Sequence, residues 1–293
     1  MRSRLLLMAI VLSPGVLAAG TVCVEEGEDG TLVAKPCPTS AASPLSTTTP
    51  QAHSAAPAPV ARPTIKRSQA LPDPADFAAV HTYVEGLARD PDEQRAVAGF
   101  DALVAAGGEF VPALVKIYLD PKMDPRCRWV SGQALGRVRN PDAARALEKG
   151  LTDPMPLARI AAVQSVPFHR PSSPRTRLET ALQDPAAVVR AAAADSLASL
   201  GDPGAVPALQ AAWKDPVNQY KGKSLFVRAH IVTALGELGG PEVVPVLVEA
   251  LGDVDTRDAA RAALPRATGR VAPPPGPGTE AQRWLTWYQS EQR

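Results

Sequence analysis

From Phe77 onward, apolar residues return at intervals of three and four, the spacing of one face of a helix, and polar breaks cut the pattern into short runs. The breaks carry helix-start chemistry. Asp153-Pro154 and Asp184-Pro185 read as openings of first helices, and Asn140-Pro141 and Asp202-Pro203 as openings of second helices. An Asp or Asn side chain accepts from a backbone N–H that has no helical partner, and a proline at the first helical position gives up an N–H that had none. Gly136, Gly201, Gly236 and Gly239 are expected to supply the turns between helices.

The pattern repeats. An Arg followed 19 residues later by Leu occurs five times, at Arg95, Arg128, Arg159, Arg190 and Arg228, and successive arginines are 33, 31, 31 and 38 residues apart. Leu135, Leu197 and Leu235 keep one phase of this ruler, Pro141, Pro203 and Pro241 a second, and Leu151, Leu182 and Leu251 a third. A period of this length marks stacked helical hairpins, since neither helix of a pair can bury its apolar face alone. The 51 alanines, beside only five Phe, four Trp and four Tyr, fit backbones that approach closely.

The stretches "DPAAVVRAAAADSLASLGDPGAVPALQAAW" and "FVRAHIVTALGELGGPEVVPVLVEALGD" resemble HEAT repeats of the short bacterial type, related to those of phycobilisome lyases. The resemblance covers about residues 75 to 270. It implies an all-α chain: a right-handed α-solenoid of about five to six HEAT-type hairpins whose concave surface binds another macromolecule. It does not imply a reaction. It also implies bonds between neighbouring repeats from Arg128, Arg159, Arg190 and Arg228 to Asp153, Asp184 and Asp215. The rival reading of these arginines is a stripe that binds phosphate or carboxylate.

Two places interrupt the repeat. Asp184 to Arg190 is 6 residues but Asp215 to Arg228 is 13, so the segment around "NQYKGKS" is an insertion; Tyr220, Lys221 and Lys223 there are candidates for an acidic partner. In "VPFHRPSSP", Pro167, Pro171 and Pro174 are expected to end a helix early and expose Phe168, His169 and Arg170 as further candidate partner contacts. The alternatives are a solvated loop and a structural kink. After "PPPGPG", Glu280 to Gln292 reads as one more helix with Trp284, Trp287 and Tyr288 on one face, which suits a cap over the last repeat or a helix laid in a partner's groove.

The N-terminus changes the picture of where the chain works. Arg2 and Arg4 precede an apolar run from Leu5 to Leu12, and Ala18, Ala19 and Gly20 follow, a secretory-signal pattern with cleavage expected near residues 18 to 20. The chain is therefore expected in the periplasm or outside the cell, with no membrane span after cleavage. In an oxidising compartment Cys23 and Cys37 are expected to close a small hairpin by a disulfide, leaving Cys127 over. From Pro38 to Ala61 there is no charged residue, and Pro, Ala, Ser and Thr dominate. The expected organisation is a signal peptide (1–20), a Cys-bearing segment (21–37), a disordered linker (38–74), the solenoid (75–272) and a Pro-rich turn with a capping helix (273–293).

Charge and inventory bound the function. Thirty-one Lys and Arg against 30 Asp and Glu, without a long block of one sign, argue against a nucleic-acid binder. His53, His81, His169 and His230 form neither an HExxH nor the His-Glu pairs that a HEAT-type diiron hydroxylase requires, and there is no phosphate loop and no Gly-x-Ser-x-Gly. Cys127, between Arg126 and Arg128, reads as a buried helix cysteine, with a nucleophilic role as the alternative. The expectation is no catalytic, cofactor or metal residue, and an exported scaffold or adaptor with a protein partner of unknown identity. The alternative is a HEAT-like lyase or maturation factor acting on a protein-bound chromophore or cofactor.

Overall fold

A computed structural model of the 293-residue chain describes residues 22–26, 32–36, 70–221, 223–270, 273 and 275–291. The chain divides into two compact units, residues 1–63 and 64–293. In the first, β1 (Val22–Glu26) pairs antiparallel with β2 (Leu32–Pro36), so the chain is not purely helical. The register sets Cys23 opposite Lys35; Cys37, and with it the expected disulfide, lies outside the described residues, as do the signal segment and most of the linker.

The second unit is an α-solenoid. After α1 (Phe77–Arg89) and α2 (Glu93–Ala105) come α3 (Val111–Leu119), α4 (Pro125–Leu135), α5 (Pro141–Gly150), α6 (Pro156–His169) and α7 (Pro174–Ala181). They are followed by α8 (Ala187–Leu200), α9 (Val206–Lys214), α10 (Phe226–Leu238), α11 (Val244–Ala250), α12 (Arg257–Thr268) and α13 (Glu280–Glu291). One layer is continuous: α4, α6, α8, α10 and α12 each pack on the next. The helices α3, α5, α7, α9 and α11 each pack chiefly on the helix of that layer which follows. The hairpin unit is therefore α5 with α6 or α7 with α8, joined through the Asp turn, one helix out of step with the grouping expected from the sequence.

The Asp-Pro pairs also sit a turn upstream of the helices they were expected to open. Asp153 Oδ1 accepts from the Met155 amide (2.9 Å) and Asp184 Oδ1 from the Ala186 amide (2.8 Å), and these short turns hand over to α6 and α8. Asn140 does cap α5 directly. Asp202 opens a 3-10 turn, Pro203–Ala205, that runs into α9. Gly201 closes α8 in the left-handed conformation (φ 70°), where a side chain would be strained.

Gly236 is not a turn residue. It lies inside α10, buried, where an added Cβ would stand 2.4 Å from Ala263 Cβ and 2.7 Å from Ala263 Cα on α12. Gly132 plays the same part between α4, Ala161 and Tyr118. This is how an alanine-rich, aromatic-poor chain builds a core: backbones meet with nothing between them, and the lost side-chain area is offset by close packing. Among the described residues no single helix is long and apolar enough to cross a membrane.

Candidate functional site

The ladder arginines face inward and work in two directions. Arg159 Nη1 donates to the carbonyls of Asp153 (2.8 Å) and Pro154 (3.0 Å), holding its own turn, while Nε and Nη2 reach forward to Asp184 at 2.7 Å each. This is a forked ion pair between half-buried side chains, and the bond to Asp184 holds the guanidinium pKa above its ordinary value. Arg128 donates from Nε to the Tyr118 carbonyl (2.8 Å) and pairs with Asp153 through Nη2. Each ladder Asp thus shapes a turn with one oxygen and receives the preceding arginine with its carboxylate.

Arg190 departs from this. Its Nη1 holds the Asp184 and Pro185 carbonyls as expected, but Nε donates to Asn218 Oδ1 (2.8 Å) and Nη2 to the Val217 carbonyl (3.2 Å). Asp215, the expected partner, keeps only the turn role, accepting from the Val217 amide (2.9 Å). The insertion displaces the acceptor three residues along the chain and replaces a carboxylate with an amide. Burial lowers the Arg190 guanidinium pKa, opposed by the charges of Asp215 and Asp184. Arg228 donates to Asp253 Oδ2 (3.2 Å) and Ser224 Oγ (2.6 Å), with its guanidinium 3.4 Å over the Trp213 ring. Asp253 was missed in the sequence because only four residues separate it from Arg257, whereas Asp184 and Arg190 are six apart.

The inserted residues themselves are built, not slack. Pro216–Asn218 make a 3-10 turn, and β3 (Gln219–Tyr220) pairs with β4 (Lys223–Ser224) in a tight hairpin with Lys221 at φ 49°. The base is Asn218, 1% exposed. Its Oδ1 accepts from Arg190, its Nδ2 donates to the Ala212 carbonyl (2.9 Å), and its own carbonyl accepts from the Leu225 amide (3.0 Å). At the far end Tyr220 is 62% exposed, with Lys221 Nζ 5.2 Å over its ring, and Val217 is 50% exposed.

The second interruption is more buried than expected. Pro167 lies within α6, which runs on to His169, and Arg170 closes it in the left-handed region (φ 45°). His169 is half-buried, and its Nε2–H donates to the Leu135 carbonyl (3.1 Å). Burial pushes its pKa down, outweighing that bond. Phe168 and Arg170 are exposed as expected, with the Arg139 guanidinium 4.8 Å over the Phe168 ring, and only His169 is drawn inward. A cleft of about 200 Å³ lies between α5, α6 and this connection, with Leu147 and Val166 in its floor and Glu148 and Arg177, themselves paired, at its rim.

At the end of the chain, Trp284 is 1% exposed in the core, and Trp287 and Tyr288 pack against the same cluster. Thr279 and Gln282 cap α13 reciprocally, and Arg261 on α12 pairs with Glu280 (3.1 Å). Cys127 is fully buried, and desolvation, with Asp124 and Glu85 nearby, pushes its pKa up to about 11, the reverse of what a nucleophile needs. Among the described residues no three His, Cys, Asp or Glu gather as a metal site would require.

The family model for HEAT repeats matches residues 148–224 and 176–267. Residues 148–267 are HEAT repeats. The match contains the forked rung, the shifted rung and the hairpin. No curated protein matches. Among solved structures, the complex of CpcE and CpcF of phycocyanin lyase from Nostoc sp. PCC7120 is 19% identical over 72% of this chain and 87% of that chain, with a TM-score of 0.40. Human deoxyhypusine hydroxylase in complex with glycerol is 18% identical over 69% of this chain and 94% of that chain, with a TM-score of 0.32. Similarities this distant bear on neither activity nor partner.

Proposed function

We propose that the chain is a non-catalytic HEAT-repeat scaffold or adaptor that binds another protein through its solenoid surface. The observation that supports this is the β3–β4 hairpin, an insertion anchored through Asn218 on a buried ladder rung and carrying an exposed tyrosine. Exposed aromatics held by a stiff support bind with little loss of side-chain freedom. The ladder guanidiniums are buried or half-buried and bonded chiefly to the chain's own oxygens, which leaves the surface rather than the rungs to meet a partner.

The Arg2–Gly20 pattern makes the envelope the place to look. The test is a pull-down with the mature chain from the soluble envelope fraction, read by both protein mass spectrometry and visible absorbance. A stoichiometric protein partner with no chromophore is the expected result. A bound small chromophore would overturn the scaffold reading in favour of a lyase or maturation factor.

A further inference from the structure

The hairpin also has a chemistry. Lys221 and Lys223 stand on it and Lys214 ends the helix before it; all three are exposed, and none pairs with a carboxylate among the described residues. The rung arginines on either side, Arg190 and Arg228, are by contrast bonded to the chain itself. The two carboxylates bonded to the hairpin's flanking segments are engaged: Asp215 holds the Val217 amide, and Asp253 receives Arg228 and Ser224. Tyr220 is largely exposed, with Lys221 Nζ 5.2 Å over its ring and Lys223 opposite it across the hairpin. Lysines beside an exposed aromatic side chain are complementary to carboxylates flanking an apolar side chain. The knob is short, and the chain as a whole carries only +1, so it offers no extended groove along which a phosphate backbone could run.

We propose that the β3–β4 hairpin is a docking point for an acidic segment of a partner protein, whose carboxylates pair with Lys221 and Lys223 while an apolar side chain rests against Tyr220. This rests on the scaffold reading and specifies the partner's chemistry. Such rim charges act mainly on association rate and salt dependence, with the tyrosine supplying the anchor.

The probe is a labelled peptide of Glu and Asp residues flanking a central Leu, titrated by fluorescence anisotropy into the full chain at low salt. Its Gln/Asn counterpart and a single-stranded oligonucleotide of equal charge are titrated in parallel. The double variant Lys221→Asn/Lys223→Gln removes the charge, Asn being tolerant of the left-handed turn position. The variant Lys122→Gln/Lys149→Gln removes the same charge elsewhere. The acidic peptide is expected to bind at least tenfold more tightly than its neutral counterpart, to lose about tenfold with the hairpin variant and with Tyr220→Ser, and to be unaffected by the remote variant. No binding of the acidic peptide, equal loss with the remote variant, or tighter binding of the oligonucleotide would each overturn the proposal. The pull-down separates the two levels: a partner retained undiminished by the hairpin variant refutes the docking point and leaves the scaffold standing, whereas no partner in either refutes the scaffold.

Discussion

Arg159 and Arg190 each hold the corresponding two carbonyls of their own turn and reach forward to the next, yet one rung ends on a carboxylate and the other on an amide. In the first, a forked ion pair ties turn to turn. In the second, Asn218 receives one guanidinium nitrogen while donating to the Ala212 carbonyl, and the same residue is the root of the hairpin. What repeats along this solenoid is therefore the position of an acceptor in space, not the identity or number of the residue that supplies it. An insertion is tolerated where some other side chain can reach that position.

The largest effect should come from breaking the forked rung. Asp184→Ala leaves the Arg159 guanidinium half-buried without its carboxylate and removes the cap on the Ala186 amide. The expected cost is about 3–5 kcal/mol. At roughly 2–4 °C per kcal/mol for a unit of this size, thermal unfolding will register it clearly. Unchanged melting with loss of partner binding would instead make the arginines a binding stripe. Arg190→Ala tests the shifted rung and should cost about 1–3 kcal/mol, because the Asn218 acceptor and two turn carbonyls lose their donor.

Asn218→Asp sharpens the contrast. It would restore the charge that the other rungs carry, and a count of ion pairs alone would make it stabilising. The expectation here is a loss of about 1–2 kcal/mol, because the new carboxylate faces the Ala212 carbonyl where an N–H now donates. A gain in melting temperature would show that the amide is a compromise rather than the better fit.

These rungs also mark what could be read from the sequence. The period, the helix breaks, the Arg159–Asp184 spacing and the aromatic face of α13 were legible because each rests on local chemistry repeated at a fixed interval. Asp215 was misassigned because its phase was carried across an insertion that moves the acceptor to Asn218. Gly236 reads as a turn because glycine breaks helices in isolation; the close approach of Ala263 that demands it is tertiary and leaves no local mark. The hairpin was visible only as extra length. That its base is buried and its tip exposed depends on Asn218 meeting an arginine 28 residues earlier. Likewise, nothing local in "VPFHRPSSP" indicates that His169 will turn inward to the Leu135 carbonyl.

Acid should separate the rungs as mutation does. Burial pushes the Asp253 carboxyl up, but the Ser224 hydroxyl, the Asp255 amide and the Arg228 charge outweigh it and hold its pKa below the usual range. A depressed carboxylate stabilises the fold above its unfolded pKa of about 4, and that contribution is lost as pH falls through the folded value. Asn218 does not titrate. Amide protection relative to the intrinsic exchange rate should therefore fall at the start of α12 on acidification before it falls at the α8–α10 junction; simultaneous loss would contradict the difference between the two acceptors.

The smallest effect belongs to a pair that joins α8 to α10 away from the rung and carries the opposite pH sign. His230 Nδ1–H donates to Asp195 at 2.8 Å, with Phe226 edge-on to the ring. Burial lowers the imidazole pKa, but the bond to Asp195 and its charge outweigh burial and leave it raised. A raised histidine contributes fully below its unfolded pKa of about 6.5, and the contribution disappears as pH rises through the folded value. Both side chains are more than a third exposed, so solvent screening keeps the pair below about 1 kcal/mol. Asp195→Asn keeps an acceptor for the ring and removes the charge. Measured against that variant, the wild-type chain should gain a degree or two in melting temperature at pH 5.5 and nothing at pH 8.5. Equal differences at both pH values would mean that α8 and α10 are held at this end by the neutral hydrogen bond alone.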